Sequence, residues 1–268
     1  ICPGIQFDDE KTPHFTNLCS NCGGSTPVCM QRCPFNAIIF DEHPTEKNTF
    51  PELKKLPETK TTELTHADLP ESLRVAIRGI GGQGNLFFGK VLSEVILKTS
   101  FVKTNIIKGD THGMAQLGGP VISTFSCGNV SSPILAPGSA DVLIVMEISE
   151  VLRPDFLDLL KPNGTIIFNN CQVLPVNIKK EAYPDMQQIY ETLKEYKLIK
   201  IDANKIVMEL GDSSAKTANV VVLGLLSTIN PFNKIPEEIW LNALLSISSG
   251  DVIKAINKQS FEAGRKVK

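Results

Sequence analysis

The stretch that decides the fold is Leu73-Arg-Val-Ala-Ile-Arg-Gly-Ile-Gly-Gly-Gln-Gly84, which covers residues 73–84. It begins as a short β-type run and ends in a glycine-rich turn. From Asn85 to Thr99 the chain continues with apolar residues on one side of a helical pattern. A strand, a tight glycine turn and a helix in this order are typical of the start of an α/β domain.

The rest of the chain alternates short apolar runs with helical patterns. We therefore predict an α/β fold, with a Rossmann-like, mostly parallel sheet and helices on both faces. The segment 214–228 is apolar nearly all round, so we expect it to be deeply buried or part of a subunit interface. The further predicted strands are 104–107, 121–126, 142–146, 165–168 and 198–201, and the further predicted helices are 149–160, 185–196, 214–228, 236–246 and 252–265.

Composition changes twice along the chain and predicts three parts. Residues 1–42 are rich in Cys, Gly and Pro, which is typical of a small module held by a metal cluster. Residues 43–72 carry prolines among Lys, Glu and Thr, as an extended linker does. Residues 73–268 form the α/β domain.

Bulk properties limit the classes of protein to consider. The 268 residues are 42% hydrophobic and carry a formal net charge of −2, which gives no electrostatic footprint for nucleic acid or an anionic membrane. No apolar run reaches the ~18–20 residues of a membrane span, and no export signal is visible. We expect a cytoplasmic protein. The chain begins at Ile1 and not at Met, as a processed protein and a fragment of a longer chain both would.

Five cysteines fall within the first 33 residues, and their spacing is similar to that of an iron–sulfur module with a four-residue loop insertion between Cys22 and Cys29. The pattern is Cys19-x2-Cys22-x6-Cys29-x3-Cys33-Pro, preceded by Cys2-Pro. Bacterial ferredoxins use C-x2-C-x2-C-x3-C-P, in which the last Cys serves the other cluster of a pair. We therefore predict one [4Fe–4S] cluster on Cys2, Cys19, Cys22 and Cys29, with Cys33 directed to a second cluster.

Two other metal arrangements fit the same cysteines. Cys19, Cys22, Cys29 and Cys33 are also a suitable set for a structural Zn²⁺. The same four are alternatively the ligands of a single iron–sulfur cluster, which leaves Cys2 spare. The two remaining cysteines, Cys127 and Cys171, lie in or beside apolar strands and are expected to be buried free thiols.

The glycine turn Gly79-x-Gly81-x-x-Gly84 stands where a dinucleotide fingerprint would stand. The acidic residue expected about twenty positions later, which binds the ribose, is missing. A phosphate-bearing ligand and a purely structural turn both fit this loop. A second loop, 110–120, carries His112 between glycines, which favours an interface or a ligand contact.

These motifs resemble those of a known family. Gly79–Gly84, Thr111-His-Gly-Met-Ala-Gln-Leu-Gly-Gly119 and Ala140-Asp-Val-Leu-Ile-Val-Met-Glu147 are similar, in this order, to motifs of the γ-type domain of 2-oxoacid:ferredoxin oxidoreductases. This domain is the β subunit of indolepyruvate oxidoreductases. Lys216–Gly224 resembles its buried late helix, and the similarity runs through most of residues 73–250.

Residues 1–42 resemble the end of the indolepyruvate oxidoreductase α subunit, which is a two-cluster ferredoxin module. Cys2-Pro-Gly-Ile and Cys33-Pro-Phe-Asn-Ala-Ile correspond to its two Cys-Pro endings. The chain is therefore similar to the junction of a fused α–β protein, or to a δ–γ fusion of the pyruvate type.

The resemblance implies oxidative decarboxylation of a 2-oxoacid such as indolepyruvate or pyruvate. Thiamine diphosphate would activate the substrate, coenzyme A would take the acyl group, and clusters would pass electrons to ferredoxin. The sequence has no thiamine diphosphate motif, so that cofactor is expected on catalytic partner subunits or on missing upstream segments. The chain is not expected to be active alone. The residues that the resemblance assigns to cofactor contact are Gly79, Gly81, Gly82, Gly84, Thr111, His112 and Gly113.

Two other functions compete with this prediction. One is a free-standing NAD(P)- or nucleotide-binding oxidoreductase with a zinc-stabilised N-terminal module. The other is a non-catalytic scaffold in which the cluster has only a structural role.

Overall fold

The computed structural model describes residues 5–7, 13–15, 69–99, 105–110, 119–173, 183–212 and 215–267. The chain divides into two compact units, 1–58 and 59–268. In the first unit, β1 (Ile5–Phe7) pairs antiparallel with β2 (Pro13–Phe15), and Gln6 stands opposite His14. The predicted limits of the iron–sulfur module and of the linker stay predictions, because most of those residues lie outside the described ranges.

A six-stranded sheet forms the centre of the second unit, in the order β4-β5-β3-β6-β7-β8. Strands β3, β6, β7 and β8 pair parallel to one another, whereas β5 pairs antiparallel with both β3 and β4. Five strands therefore run in one direction and β5 in the other, which confirms the predicted mostly parallel sheet. The strands are β3 (Ser72–Ile80), β4 (Asn105–Asp110), β5 (Pro120–Gly128), β6 (Ala140–Val145), β7 (Leu160–Asn169) and β8 (Lys197–Ile201).

The helices of the second unit follow the strands along the chain. Among the described residues they are α1 (Asn85–Leu97), α2 (Met186–Thr192), α3 (Ala203–Glu209), α4 (Ala218–Leu226), α5 (Glu237–Ser246) and α6 (Asp251–Arg265). Short 3-10 helices cover Ile148–Leu152, Leu157–Leu159 and Phe232–Lys234. Within the ranges that the structure covers, no helix is long and apolar enough to cross a membrane.

The sheet is buried on both faces. Successive side chains of a strand point to opposite sides, and apolar side chains pack on each side. Val75 and Ile77 of β3 join the larger apolar cluster, while Ala76 between them joins the smaller one on the other face. Such two-sided burial explains why β6, Ala-Asp-Val-Leu-Ile-Val, is an almost continuous apolar run.

Helix α4 lies in the middle of the larger cluster, and all nine of its residues are buried. It packs against α6 so closely that a side chain on Gly224 would overlap the backbone carbonyl of Phe261. A side chain on Gly264 would likewise overlap the carbonyl of Val221. This confirms the predicted deep burial for residues 218–227 of the apolar segment 214–228, whereas Lys216 before the helix is exposed.

The predicted helix over residues 149–160 is wrong. The structure has the two 3-10 helices Ile148–Leu152 and Leu157–Leu159 there, and β7 already begins at Leu160. Arg153 between them is extended, at φ −65° and ψ 137°, because the residue before a proline avoids the helical conformation. Helix α3 was not predicted, although Asp202 caps it by accepting a hydrogen bond from the backbone N–H of Lys205 at 3.0 Å.

Candidate functional site

The candidate site lies at the carboxyl ends of the parallel strands, where open α/β sheets bind their ligands. Its centre is the Gly79–Gly84 loop between β3 and α1. At Gly79, a Cβ atom would come within 2.8 Å of the Met146 side chain at the end of β6, which leaves room only for glycine. Gly82 has a φ of +97°, and no described residue lies within 4 Å of a Cβ atom placed on it. In the part of the chain that the structure describes, one side of the loop is therefore open to a ligand or a partner.

Gln83 holds this loop to the neighbouring strand ends. Its side-chain oxygen accepts a hydrogen bond from the backbone N–H of Ile80 at 2.9 Å. Its side-chain nitrogen donates to the carbonyl of Met146 at 3.2 Å and lies 3.7 Å from the sulfur of Cys171. One side chain thus connects the ends of β3, β6 and β7 and fixes the path of the glycine loop.

The start of α1 contains buried amide groups without partners. Asn85 is 5% exposed, and neither atom of its side-chain amide has a hydrogen-bond partner among the described residues. Asn219 in the first turn of α4 donates from its side-chain nitrogen to the carbonyl of Gly84 at 3.2 Å, and its side-chain oxygen is also buried without a partner. Because buried polar groups in native proteins are nearly always satisfied, these atoms without a described partner favour a polar ligand or water at this place.

Glu147 follows β6 and is the most heavily hydrogen-bonded carboxylate of the described site. It is 1% exposed and accepts hydrogen bonds from the N–H and hydroxyl of Ser149, at 2.9 and 2.6 Å. It also accepts from the N–H of Val173, at 3.2 Å, and from the hydroxyl of Tyr183. Burial and the contact with Glu147 raise the pKa of Tyr183. The carboxylate is therefore structural: it holds the chain on either side of residues 174–182 against the end of the sheet.

Asn169 at the end of β7 connects the end of β6 to the start of α3. Its side-chain nitrogen donates to the carbonyl of Met146 and to the side chain of Asn204, each at 3.1 Å. Its side-chain oxygen accepts from the N–H of Ala203 at 2.9 Å, which fixes the start of α3. The carboxyl end of the sheet is in this way a rigid polar platform beneath the glycine loop.

The two cysteines of the described part are buried free thiols, as predicted. Burial first, and the charge of Glu147 second, raise the pKa of Cys171. Because a protonated thiol is a poor nucleophile and metal ligand, Cys171 is a packing residue of the platform.

The predicted site residues divide into two groups. Gly79, Gly81, Gly82 and Gly84 lie together in one loop, and the N–H of Gly81 donates to the carbonyl of Gly119 at 2.9 Å. Thr111, His112 and Gly113 lie outside the described residues. So do the predicted metal ligands Cys2, Cys19, Cys22, Cys29 and Cys33. Within the described ranges, no group of three or more His, Cys, Asp or Glu residues is arranged to hold a metal.

The strand order argues against a dinucleotide at the glycine loop. In the dinucleotide fold, the acid that binds the ribose ends the strand next to the glycine loop. Here antiparallel β5 lies between β3 and β4, so Asp110 at the end of β4 is two strand spacings away, roughly 10 Å. Asp110 also forms an ion pair with Lys108 at 2.6 Å.

Several residues of the site were not predicted as site residues, namely Gln83, Glu147, Asn169, Tyr183 and Asn219. Three of them, Gln83, Glu147 and Asn219, lie inside quoted motifs without having been singled out there. Position along the strands could have indicated two of them. Asn169 is the last residue of the buried parallel strand β7, and Glu147 follows β6 after one residue. Tyr183 and Asn219 have no such signal, since their contacts join segments far apart in sequence.

Comparison with known proteins gives matches in one family. The family model described as "Pyruvate ferredoxin/flavodoxin oxidoreductase" matches residues 74–267. A relative from Archaeoglobus fulgidus, named indolepyruvate oxidoreductase subunit IorB, is 31% identical over 158 residues, which are 58% of this chain and 75% of the relative.

Solved structures share the fold. Pyruvate oxidoreductase subunit PORC from Thermotoga maritima matches with a TM-score of 0.55 and 17% identity, over 74% of this chain and 97% of that one. The 2-oxoglutarate:ferredoxin oxidoreductase of Magnetococcus marinus, solved with 2-oxoglutarate, coenzyme A and succinyl-CoA bound, matches with a TM-score of 0.53 and 17% identity. That match covers 74% of this chain and 31% of the other.

Proposed function

This chain belongs to the pyruvate ferredoxin/flavodoxin oxidoreductase family, and we propose that it is a component of a thiamine-diphosphate-dependent 2-oxoacid:ferredoxin oxidoreductase. The complex would convert a 2-oxoacid such as indolepyruvate or pyruvate to an acyl-CoA by oxidative decarboxylation. The observation that carries the proposal is the match over residues 74–267, which includes nearly the whole sheet and all six helices of the second unit. The 31% identity to an indolepyruvate oxidoreductase subunit supports the same function.

The α/β domain is proposed to pack on catalytic partner subunits beside their active site. Thiamine diphosphate would reside on those partners, where it supplies the carbanion chemistry of decarboxylation. The role of this chain is then to present a rigid surface to the reacting centre. The platform formed by Gln83, Glu147 and Asn169 suits that role, because each side chain is fixed by at least three polar contacts.

Coenzyme A is proposed to approach the glycine loop. The residues assigned to it are Gly79, Gly81, Gly82 and Gly84, with Thr111, His112 and Gly113 of the following loop. Three features support this assignment: the open side of Gly82, the side-chain N–H group of Asn85, which has no partner among the described residues, and the start of a 13-residue helix. Free N–H groups and the positive end of a helix favour the phosphates that coenzyme A carries.

The cysteine-rich segment is proposed to hold a [4Fe–4S] cluster on Cys2, Cys19, Cys22 and Cys29, with Cys33 directed to a second cluster. The donor set fits, because soft thiolates are the usual ligands of iron–sulfur clusters. A cluster there would move single electrons from the catalytic subunits to ferredoxin. We expect the complex to work in the cytoplasm, where disulfides are disfavoured and thiols stay available as ligands.

The proposal is tested by anaerobic purification of the tagged full chain from its native cell, followed by an activity assay of the complex. The assay would follow viologen reduction with indolepyruvate, pyruvate and 2-oxoglutarate, each with and without coenzyme A. We expect partner subunits to co-purify and one 2-oxoacid to drive reduction that depends on coenzyme A. A partner-free chain that binds NAD(P) and reduces no viologen would contradict the proposal.

A further inference from the structure

A second pocket lies at the opposite end of the sheet from the glycine loop. It is a half-open cleft of about 400 Å³ between the amino ends of β6, β7 and β8 and the segment after α4. This volume is within the range of small-molecule sites, which is roughly 300–1,000 Å³. The charged and amide-bearing residues of its lining are Asp141, Lys161, Asn163, Lys197, Asn230 and Lys234. We call the space that they line the amino-end pocket.

The charge of the amino-end pocket is positive. Asp141 is the one carboxylate on its described wall, and it is only 5% exposed. It already accepts a hydrogen bond from the N–H of Arg74 at 2.8 Å and forms an ion pair with Lys161. Lys197 and Lys234 form no ion pair with any described residue. Two lysines that have no ion-pair partner among the described residues thus line the pocket, while the third, Lys161, is paired with Asp141.

Two asparagines add polar side chains to the lining of the pocket. Between the pairs Ala140–Leu160 and Val142–Thr165, β7 contains four residues that have no partner in β6, and they form a small loop on one rim. Asn163 in this loop has a φ of +65°, a conformation that asparagine tolerates better than most residues. Asn230 lies on the facing rim. The two lysines and the two asparagine amides of the lining are hydrogen-bond donors, and phosphate groups are ligands whose oxygens accept several hydrogen bonds at once.

We propose that the amino-end pocket binds a small ligand with two or more phosphate groups, such as a diphosphate. Two unpaired ammonium groups call for at least two negative charges, and the concave volume favours a small molecule over a flat contact with a protein surface. This site does not depend on the proposed function, because it lies at the other end of the sheet and shares no residue with the glycine loop.

The test is isothermal titration calorimetry of the full chain with inorganic pyrophosphate, at about 0.15 M ionic strength, where contacts between exposed charges at long range are screened. The double variant K197Q/K234Q removes the two unpaired charges. The matched control K90Q/K205Q removes two exposed lysines of α1 and α3 and so has the same net charge. We expect one pyrophosphate site per chain. Its Kd should rise about tenfold or more in K197Q/K234Q, which is a loss of 1.4 kcal/mol or more in binding free energy, and should stay unchanged in the control.

Three results would overturn the proposal. One is the absence of pyrophosphate binding to the full chain. Another is an equal loss in both double variants, which would show a general effect of net charge. The third is binding of a hexaglutamate peptide that depends on Lys197 and Lys234 without binding of pyrophosphate, which would make the pocket a docking point for an acidic protein segment.

Discussion

The side-chain nitrogen of Asn219 donates a hydrogen bond to the backbone carbonyl of Gly84 at 3.2 Å, across 135 positions of the sequence. This contact joins the starts of α1 and α4, so the two helices meet at the edge of the glycine loop. Gly84 has a φ of +79°, and a side chain on it would overlap the amide of Asn219. The geometry of the loop at Gly84 therefore depends on this pair, in addition to the contacts of Gln83.

Replacement of Gly84 by alanine should destabilise the domain by about 3 kcal/mol or more, because backbone strain and steric overlap add. The control is Gly82→Ala, whose φ of +97° is also unfavourable but whose surroundings are open. For it we expect only about 1–2 kcal/mol. Urea unfolding of both variants measures the difference. Equal losses would show that the Asn219 contact does not restrict residue 84.

Gly264→Ala distinguishes helix propensity from packing. In an exposed helix the change would stabilise by about 1 kcal/mol. Here we expect a loss of about 3 kcal/mol, since the new methyl group would overlap the backbone of α4 at Val221. Gly89→Ala in α1 is the matched control, because its methyl group would meet only the flexible side chain of Lys108, at 2.7 Å. The account of the α4–α6 contact fails if both variants unfold at the same urea concentration.

The Tyr183–Glu147 pair predicts a pH effect with a definite sign. Burial, and then the contact with Glu147, raise the pKa of Tyr183 in the folded protein above its ordinary value near 10. Above that pH the unfolded chain loses this proton and the folded chain keeps it, so the free energy of unfolding falls as pH rises.

The chain has three tyrosines, so an absorbance titration can follow them. We expect one tyrosine of the folded protein to ionise late, and to be missing from Tyr183→Phe. In Glu147→Gln, the pKa of Tyr183 should fall, because the neighbouring negative charge is gone. A Tyr183 pKa that does not change in Glu147→Gln would show that the carboxylate does not perturb it.

Asn85→Leu should separate stability from ligand binding. The wild-type amide is buried without a partner among the described residues, at a cost of about 1–3 kcal/mol, so leucine should raise the free energy of unfolding. The same variant should raise the KM for coenzyme A in the assembled complex. Asn219→Leu is the control. It should lower the free energy of unfolding, because it also breaks the hydrogen bond to Gly84. If Asn85→Leu changes neither stability nor the KM, the amide has no role in the proposed site.

The sequence predicted the strands well, because each one is a short apolar run bounded by turn residues. All six strands of the sheet were expected, and burial was correctly expected for residues 218–227 of the segment 214–228. The error at residues 149–160 has a local cause, since Pro154 interrupts an otherwise helical pattern. The run was long enough to suggest one helix, but the structure has two short 3-10 helices there and β7 begins at Leu160.

The site was only partly predictable. The glycine loop could be found from residue spacing, because tight turns require glycine at fixed positions. The hydrogen bonds of Glu147 with Tyr183 and of Asn219 with Gly84 could not, since they depend on how distant segments pack. The same reason explains why the sequence left a nucleotide site open: only the strand order shows that β5 separates Asp110 from the loop.

The central claim, an electron-transferring component of a 2-oxoacid oxidoreductase, is tested most directly by counting iron and acid-labile sulfide in the anaerobically purified full chain, with EPR after dithionite reduction. We predict about four irons and four sulfides per chain and a reduced-cluster signal that is lost in Cys2→Ala. Cys127→Ala, at a buried thiol of the sheet, is the control and should keep the cluster. One zinc per chain without sulfide would contradict the account.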